Sequence, residues 1–423
     1  MIARTVVSAL LGRLRGGRLE IVEPDGGRSG FGPQDSDLTA TITVHDPGFW
    51  RAMLRGSRAL AELYANGGWD CEDLVTAVRI GAREMPRLDR LRAPFAPLRT
   101  AFSRLPRNTR AGARRHISAH YDLGNEMFRL FLDDTMTYSC AFFGEPGTTL
   151  HDAQLAKLDR VCRKLDLGPD DHLVEIGTGW GSLALHAAGE YGCQVTTTTI
   201  SREQHAVASE RVRAAGLGDR VEMVTKDYRD LRGSYSKLAS IEMIEAVGWQ
   251  YFDAFFRSCS RLLAPDGLML LQAITIDDRA YEIEKAARSF SNELIFPSGC
   301  LPSVAVISRS VARATDMRLL DLEDITAHYP PTLGAWRANF LAAADRLEEL
   351  GYDRRFRRLW QLYLSWSEGG FRERRIGDVQ VLFAKPAYRG SRVNMRPDIV
   401  SSSAAGPRDA SLASASLPPG PST

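Results

Sequence analysis

The chain has 423 residues, of which 44% are hydrophobic and 25% are charged, and its formal net charge is +2. This length exceeds that of one ordinary single-core domain, so we expect a main unit of about 250 to 280 residues and a smaller one. The net charge by itself says nothing about partners. No stretch approaches the ~18 uninterrupted apolar residues that cross a bilayer, so any membrane contact is predicted to be peripheral.

The amino terminus and the cysteines both bear on the cellular compartment. The first residues include a short apolar run but no adequate signal-peptide core with a small-residue cleavage site, which favours the cytoplasm. The 6 cysteines form no C-x-x-C pair, which argues against a disulfide framework and against a zinc site. The histidines show no ligand spacing either, so no metal is predicted.

Residues 1–85 are predicted to form a small α+β unit. Within it, residues 38–44 alternate like a strand, and residues 50–64 have the apolar spacing of a helix. The Pro- and Arg-rich residues 86–110 are predicted to be a linker, because proline removes a helix donor and restricts the residue before it.

A basic stretch overlaps this linker. Between Arg87 and Arg115 there are nine arginines and one acid, Asp89, interleaved with Phe95 and Phe102. A basic stretch with apolar anchors can bind an anionic lipid surface or nucleic acid. A solvated linker between domains explains the same composition equally well.

From about residue 111 to residue 390, strand and helix patterns alternate, which indicates a parallel sheet covered by helices. The predicted strands are 172–176, 194–200, 221–225, 238–243, 268–274 and 379–384, with a helix over 182–190 after the first. We therefore predict a doubly wound, Rossmann-like α/β domain whose ligands lie at the carboxyl ends of the strands. Residues 391–423 are rich in Ser, Ala, Pro and Gly and are predicted to be a disordered tail.

A glycine-rich turn, Glu-Ile-Gly-Thr-Gly-Trp-Gly at residues 175–181, follows the first predicted strand. Glycines let the backbone approach a ligand closely, and the following helix start presents free N–H groups. Dinucleotide sites prefer G-x-G-x-x-G, and a phosphate loop needs Gly-Lys-Ser/Thr, which is absent. S-adenosylmethionine, which has no phosphate, fits the turn better, although a purely structural turn remains an alternative.

Two further loops follow the second and third strands, where such a fold meets its cofactor. Residues 199–204 come where ribose hydroxyls are bound. Residues 227–231 offer a carboxylate that can accept from the adenine amino group and an aromatic ring that can pack on adenine. Each loop could be a plain connection, but three loops in the expected order favour a cofactor site.

Several segments resemble the catalytic domain of the cyclopropane fatty acid synthase family. Besides the turn and the two loops, they are residues 120–125, 136–143, 245–248, 295–303 and 370–372. The resemblance covers about residues 110–386. The combination of Tyr-Ser-Cys at 138–140 with Phe-Pro-x-Gly-Cys-Leu-Pro-Ser at 296–303 is specific to this family.

The resemblance implies a methyltransferase that adds the methyl carbon of S-adenosylmethionine across a cis double bond of an unsaturated phospholipid acyl chain. Methyl transfer leaves a carbocation, and a base in an apolar, water-poor pocket then removes a proton so that a cyclopropane ring closes. The base proposed for the family is a bound bicarbonate ion. The family also suggests a homodimer and a peripheral location on the inner face of the cell membrane.

By position, the residues that hold bicarbonate carry over as Cys140, Glu245, Tyr329 and the backbone at Ile274. This sequence has Gln272 where many members have histidine. Glutamine offers both a donor and an acceptor, so we expect bicarbonate binding to survive.

The cofactor residues carry over from the same segments. They are Tyr138, Ser139, Glu175, Gly177, Gly179, Gly181, Thr199, Ile200, Ser201, Gln204, Asp227 and Tyr228. Ala246 is a further departure, because many members have histidine there. The family places its acyl pocket at residues 286–303 and at the helix after Thr332, although core packing predicts the apolar residues there as well: Phe290, Leu294, Ile295 and Phe296.

Three alternatives remain open. The same cation can lose a different proton and give a methylene-branched chain, a precursor of mid-chain methyl-branched acids such as those of the tuberculostearic type. A small-molecule or nucleic-acid methyltransferase would share the cofactor domain, but the catalytic region has no basic stripe with aromatics for base stacking, so no nucleic-acid partner is predicted. A noncatalytic cofactor-binding or lipid-binding protein is disfavoured by intact positions at Cys140, Glu245 and Tyr329.

Overall fold

The computed structural model describes residues 2–101, 124–297 and 299–390. The second half of the basic stretch, most of the 120–125 segment, Ser298 and the tail from residue 391 therefore lie outside the described residues. The described residues up to 388 form one compact unit that contains two β-sheets. Within the described ranges, none of the helices has the length and apolar character needed to span a bilayer.

The amino-terminal part holds a four-stranded sheet in the order β2-β1-β3-β4. Its elements are α1 (Ile2–Leu11), β1 (Arg18–Val22), β2 (Arg28–Phe31), β3 (Thr39–Val44), α2 (Phe49–Arg55), α3 (Ser57–Ala65) and β4 (Trp69–Cys71). The single helix predicted over residues 50–64 is wrong. Gly56 has a φ of 95°, which L-residues rarely adopt, and this turn ends α2 before α3 begins.

The start of the predicted linker is helical. Helix α4 (Leu74–Arg92) runs through Pro86, and α5 (Ala96–Ala101) follows after one 3-10 turn. Proline removes only one helix donor, and the far end of α4 is held by an ion pair between buried Asp89 and Arg375. An irregular linker is therefore not what these residues form, and the domain boundary near residue 85 stays a prediction.

The larger sheet has seven strands in the order β10-β11-β9-β8-β5-β6-β7. They are β5 (His172–Ile176), β6 (Gln194–Thr198), β7 (Val221–Val224), β8 (Tyr235–Ile241), β9 (Leu263–Ile276), β10 (Arg318–Asp324) and β11 (Ile376–Ala384). Strands β5 to β9 pair in parallel, whereas β11 is antiparallel to both β9 and β10. The strand order reverses between β5 and β8, which confirms the doubly wound prediction and opens a crevice at their carboxyl ends.

Helices connect these strands. They are α6 (Asn125–Arg129), α7 (Leu150–Lys164), α8 (Ser182–Glu190), α9 (Arg202–Ala214), α10 (Phe252–Leu262), α11 (Asp278–Glu284), α12 (Val304–Ala314), α13 (Tyr329–Ala342), α14 (Ala344–Glu349) and α15 (Arg354–Arg372). Thr149 caps α7 and Ser201 caps α9, each accepting a backbone N–H of the first turn. A π-helical turn covers Ser291–Ile295. Strand β10 was not predicted, because an edge strand with exposed Leu319 and Leu322 lacks a buried apolar run.

Helix α15 fastens the amino-terminal part to the larger sheet. Its Arg358 donates to the backbone oxygen of Tyr64 (2.7 Å) and pairs with Asp70 (2.7 Å). Its Gly369 allows α4 to pack closely, since a Cβ there would lie 2.7 Å from Val78 Cγ1. The helix that leads into β11 is thus fixed from both sides.

Candidate active site

The glycine turn lies between β5 and α8. Gly177, Gly179 and Gly181 have φ angles of 103°, 54° and 89°, so all three use the freedom that glycine alone has at low cost. A Cβ on Gly177 would lie 3.1 Å from Met243 Cγ, and one on Gly181 would lie 3.2 Å from Ala208 Cβ. Apart from chain neighbours, no described atom lies within 4 Å of the Cβ position at Gly179, so the turn is open there.

Glu175 is buried in β5, just before this turn. Its Oε2 accepts a hydrogen bond from Thr197 Oγ1 (2.6 Å), and that hydroxyl also contacts Thr178 Oγ1 (2.7 Å). Burial raises the pKa of Glu175 to about 8, although the Thr197 hydrogen bond and the charge of Lys157 oppose this rise. The carboxyl therefore suits a hydrogen bond to a cofactor better than an ionic contact.

The loop after β6 is tied to the start of α9. Thr199 Oγ1 donates to Gln204 Oε1 (3.0 Å), and both side chains are buried. Ser201 Oγ accepts from Gln204 N (3.2 Å) as the helix cap. Ile200 is partly exposed between them. The loop lies at the carboxyl end of β6, as predicted, with Ser201 already engaged in capping.

The loop after β7 holds Asp227 and Tyr228. The Asp227 carboxylate accepts from Arg229 Nε (2.7 Å) and Nη2 (2.6 Å). The Tyr228 ring packs edge-on against Phe255, with 5.5 Å between the ring centroids. Because Arg229 already donates to the Asp227 carboxylate, an adenine amino group would be a further donor to the same carboxylate.

The Tyr-Ser-Cys segment contacts a buried lysine that the sequence analysis missed. The hydroxyls of Tyr138 and Tyr363 lie 3.2 Å apart, and Ser139 Oγ accepts from Lys157 Nζ (2.7 Å). Burial lowers the pKa of Lys157, while the nearby Glu242 and Cys140 act in the opposite direction. Lys157 therefore places a buried amino group next to Ser139.

Glu242, which the sequence analysis also missed, lies where the donors predicted for bicarbonate converge. Its Oε1 accepts from Cys140 N (2.8 Å) and Gln272 Nε2 (2.7 Å), and its Oε2 accepts from Tyr329 OH (2.5 Å). Glu242 directly follows β8 and has a φ of 47°, in the left-handed region. Three of the predicted anion-binding groups thus bind a carboxylate of the chain itself.

Glu245 engages the fourth predicted donor. Its Oε1 accepts from Ile274 N (2.6 Å), and its backbone oxygen accepts from Cys300 N (2.8 Å). Burial, and then the charge of Glu242, raise the pKa of Glu245 to about 8. Its Oε2 is buried without a hydrogen-bond partner among the described residues. A protonated Glu245 therefore has one oxygen available for a ligand.

Asp378 on β11 completes the cluster and was not predicted. It is fully buried, and its Oδ2 accepts from the same Gln272 Nε2 (3.0 Å). Gln380 Nε2 donates in turn to Gln272 Oε1 (3.1 Å). Burial, the charge of Glu242 and a hydrogen bond with Glu242 raise the pKa of Asp378 well above its ordinary range. Asp378 is therefore held in its protonated form beside Glu242.

Cys140 and Tyr329 both keep their protons. Burial, followed by neighbouring carboxylates, raises the pKa of each well above its ordinary value. The Cys140 thiol donates to Ala141 O (3.3 Å), and the Tyr329 ring stacks on Phe371 at 4.1 Å. Since the thiolate is the nucleophilic form of cysteine, Cys140 contributes its backbone N–H here and not a reactive sulfur.

The predicted acyl-pocket residues belong to the hydrophobic core around the site. The Phe290 ring lies 5.2 Å from Trp366, and the Phe296 ring lies 5.5 Å from Tyr363. The core cluster includes Ile295 together with Cys140, Tyr329 and Trp336, and Leu294 packs against it. Two surface clefts, beside Arg313 and beside Arg358, contain none of the predicted site residues.

Within the part of the chain that the structure describes, no group of three or more His, Cys, Asp or Glu is arranged to hold a metal ion. The buried acids contact amide, hydroxyl and backbone donors instead. Hydrogen bonds therefore hold the carboxyl groups of this cluster in place.

The sequence matches a family profile and several characterised proteins. The profile is described as mycolic acid cyclopropane synthetase, and it matches residues 108–381. The chain is 36% identical over 367 residues to a tuberculostearic acid methyltransferase from Mycobacterium tuberculosis, covering 84% of each protein. It is 36% identical over 364 residues to a cyclopropane-fatty-acyl-phospholipid synthase from Escherichia coli, covering 84% of this chain and 90% of that one.

A solved structure shows the same fold. It is a mycolic acid cyclopropane synthase complexed with SAH and CTAB, which matches with a TM-score of 0.60 and 30% identity, covering 64% of this chain and 98% of that chain. The profile, the relatives and this fold agree. The chain therefore belongs to the mycolic acid cyclopropane synthetase family, and it is an S-adenosylmethionine-dependent methyltransferase similar to the cyclopropane-fatty-acyl-phospholipid synthases.

Proposed function

We propose that the chain transfers the methyl group of S-adenosylmethionine to the cis double bond of an unsaturated phospholipid acyl chain and closes a cyclopropane ring. The observation that carries this proposal is that the glycine turn lies next to the acid cluster. This cluster is Glu242 and Asp378 together with their hydrogen-bond donors Cys140, Gln272 and Tyr329. Met243, next to Glu242, lies 3.1 Å from the Cβ position of Gly177. A cofactor on the turn then lies beside the acid cluster, and proximity is what a weakly nucleophilic alkene most needs.

The glycine side fits the cofactor. The open position at Gly179 admits a ligand against the backbone, and Glu175 offers a hydrogen-bonding carboxyl. Thr199 and Gln204 offer polar groups at the end of β6 for ribose hydroxyls, and the Tyr228 ring offers a face for adenine. When bound, S-adenosylmethionine supplies the electrophilic methyl group.

The surroundings of the acid cluster suit a carbocation. The Tyr329 ring stacks on Phe371, and the Tyr138 ring packs on Trp336 at 5.1 Å. Aromatic faces attract positive charge and their packing excludes water, which would otherwise capture the cation. Cys140 and Tyr329 keep their protons, so neither competes as a nucleophile.

The bicarbonate base implied by the resemblance does not fit this arrangement. Cys140 N, Gln272 Nε2 and Tyr329 OH already donate to Glu242, and Ile274 N already donates to Glu245. A bicarbonate ion would have to displace the Glu242 carboxylate. If it bound next to Glu242 instead, two negative charges would lie close together in a buried site.

A methylene-branched product is the second candidate. The identity to the tuberculostearic acid methyltransferase, 36%, equals the identity to the cyclopropane-fatty-acyl-phospholipid synthase. The two products differ in which proton the cation loses. Gas chromatography with mass spectrometry separates the ring from the methylene isomer.

The experiment that tests the function compares two kinds of phospholipid vesicle. The purified chain is incubated with S-adenosylmethionine and vesicles of either unsaturated or fully saturated phospholipid. We expect cofactor consumption and acyl chains heavier by one CH₂ with the unsaturated lipid alone. Equal consumption with both lipids, or none with either, would contradict the proposal.

Membrane docking is the second part of the proposal. The described half of the basic stretch exposes Leu88, Leu91, Phe95 and Leu98 (43%, 69%, 62% and 59%), spaced three or four residues apart along successive helical turns. Arg87 is exposed beside them. An apolar stripe with basic neighbours binds at the surface of an anionic membrane, such as the inner face of the cell membrane, where a phospholipid substrate is found.

Vesicle binding tests this surface. We expect Leu91→Ser combined with Phe95→Ser to weaken binding to anionic vesicles about tenfold, because two apolar anchors are lost. Leu341→Ser, at a leucine on α13 that is 41% exposed, is the matched control. Salt should also weaken wild-type binding, since it screens surface charge. Equal loss in both variants, or binding that salt does not change, would refute the assignment.

A further inference from the structure

We propose that the carboxylate of Glu242 is the base that removes the proton after methyl transfer, so that this chain needs no bicarbonate. The inference rests on the proposed function and names the group that completes the reaction. It also makes Glu242 a catalytic residue that the resemblance does not assign.

The geometry of the Glu242 carboxylate is that of a bound planar anion. Two donors, Cys140 N at 2.8 Å and Gln272 Nε2 at 2.7 Å, reach Oε1, and Tyr329 OH reaches Oε2 at 2.5 Å. These donors come from three separate segments of the chain. Bicarbonate and a side-chain carboxylate both present two oxygens on a planar carbon, so one set of donors serves either of them.

The four donors that the resemblance assigns to bicarbonate are all engaged. Gln272 has two amide hydrogens, and its Nε2 contacts both Glu242 and Asp378. Ile274 N is engaged by Glu245. An added anion would find these donors occupied and would bury a second negative charge beside Glu242, which is costly without new partners.

The backbone of Glu242 is also held in an unusual conformation. Its φ of 47° is one that non-glycine residues seldom adopt. Its backbone N donates to Gln272 O (2.8 Å), which fixes the residue at the end of β8. Such a strained conformation persists where neighbouring contacts hold it in place, and here it directs the Glu242 side chain towards the three donors.

The proton balance of the step is simple. A C–H bond of the transferred methyl breaks, its electron pair forms the second carbon–carbon bond of the ring, and the proton goes to the Glu242 carboxylate. The cation and the carboxylate both become neutral. Asp378 keeps its own proton, and the added proton leaves to solvent once the product has gone.

The test measures turnover in CO₂-free buffer and in the same buffer with added bicarbonate. We expect the wild-type rate to be the same in both. Glu242→Gly removes the carboxylate, suits the positive φ and empties the donor set. Its turnover should fall by about 10²- to 10⁴-fold without bicarbonate and recover at least about tenfold when bicarbonate takes the vacated place. Glu242→Gln fills the place with an amide and should stay inactive in both buffers.

Controls separate chemistry from folding. Glu210→Gln changes an exposed acid on α9 outside the site and should leave turnover unchanged. S-adenosylhomocysteine binding to each variant reports whether the cofactor side is intact. Crystals soaked in bicarbonate should show a bound anion in the Glu242→Gly variant and none at this place in the wild type.

Two results would overturn the inference alone. The first is that product formation by the wild type depends on added bicarbonate. The second is that both Glu242 variants turn over as fast as the wild type in CO₂-free buffer. If Glu242→Gly fails to bind S-adenosylhomocysteine, the Glu242→Gln variant decides by itself. A wild type that binds the cofactor but methylates no lipid in either buffer would instead contradict the proposed function, and the inference with it.

Discussion

The glycine turn and the acid cluster meet at Met243, yet the chain builds them in different ways. The turn is one contiguous stretch, residues 175–181, between β5 and α8. The acid cluster is assembled from segments far apart in sequence: Cys140, Glu242, Gln272, Tyr329 and Asp378. A contiguous motif predicts both where a ligand binds and how the backbone bends. An assembled site is predicted only as a set of positions, without the bonds among them.

The largest expected effect is a fall in kcat when the acid cluster is changed. Tyr329→Phe removes the O–H that donates to Glu242 Oε2. We expect kcat to fall by about 10²-fold, as when one donor to a reacting oxygen is removed, while affinity for S-adenosylhomocysteine is unchanged. Steady-state kinetics and a binding titration check this. A parallel loss of cofactor affinity would mean that the two regions are not separable.

A change in the glycine turn should instead lower the affinity for the cofactor. Gly177→Ala places a Cβ 3.1 Å from Met243 Cγ on a backbone with a φ of 103°. We expect cofactor affinity to fall about tenfold, because 1.4 kcal/mol of strain corresponds to that factor. Gly216→Ala is the control, since it has a φ of 68° and no described neighbour within 4 Å of its Cβ, and it should lose stability but no affinity. Calorimetric titration and thermal unfolding distinguish the two.

The smallest effect concerns stability and pH. The pKa of Glu245 rises from an ordinary 4.5 to about 8 in the folded chain. Its contribution to stability is therefore fully present below about pH 4.5 and is lost as the pH rises towards 8. Glu245→Gln lacks this loss, so its free energy of unfolding relative to wild type should increase by on the order of 1 kcal/mol between pH 5 and pH 9. Urea unfolding at both pH values tests this, with Glu210→Gln expected to show no change.

Much of the fold could be predicted because buried strands leave a plain signal. Strands β5 and β6 consist mostly of apolar or β-branched residues, and they begin at the predicted residues, His172 and Gln194. Strand β10 left no such signal, since it exposes side chains at a sheet edge. The break at Gly56 depends on a positive φ within an otherwise continuous helical pattern, and periodicity does not reveal it.

The candidate site was predicted less completely. The recognisable segment 245–248 indicates Glu245, which accepts from Ile274 N. The other three donors meet Glu242, and the direction of that side chain depends on a left-handed φ that sequence does not reveal. Asp378 depends on the register in which Gln380 lies opposite Gln272. A usable signal existed for Lys157, which lies on the buried stripe of α7 with Leu158 and Val161.

The position of β11 has a consequence for how the enzyme matures. Among the described residues this strand comes last, yet it is inserted between β9 and β10 and brings Asp378 and Gln380 to Gln272. A ribosome synthesises the chain from its amino terminus. The nascent chain can therefore form its glycine turn before Asp378 and Gln380 reach Gln272, and the acid cluster is complete only once β11 has joined the sheet.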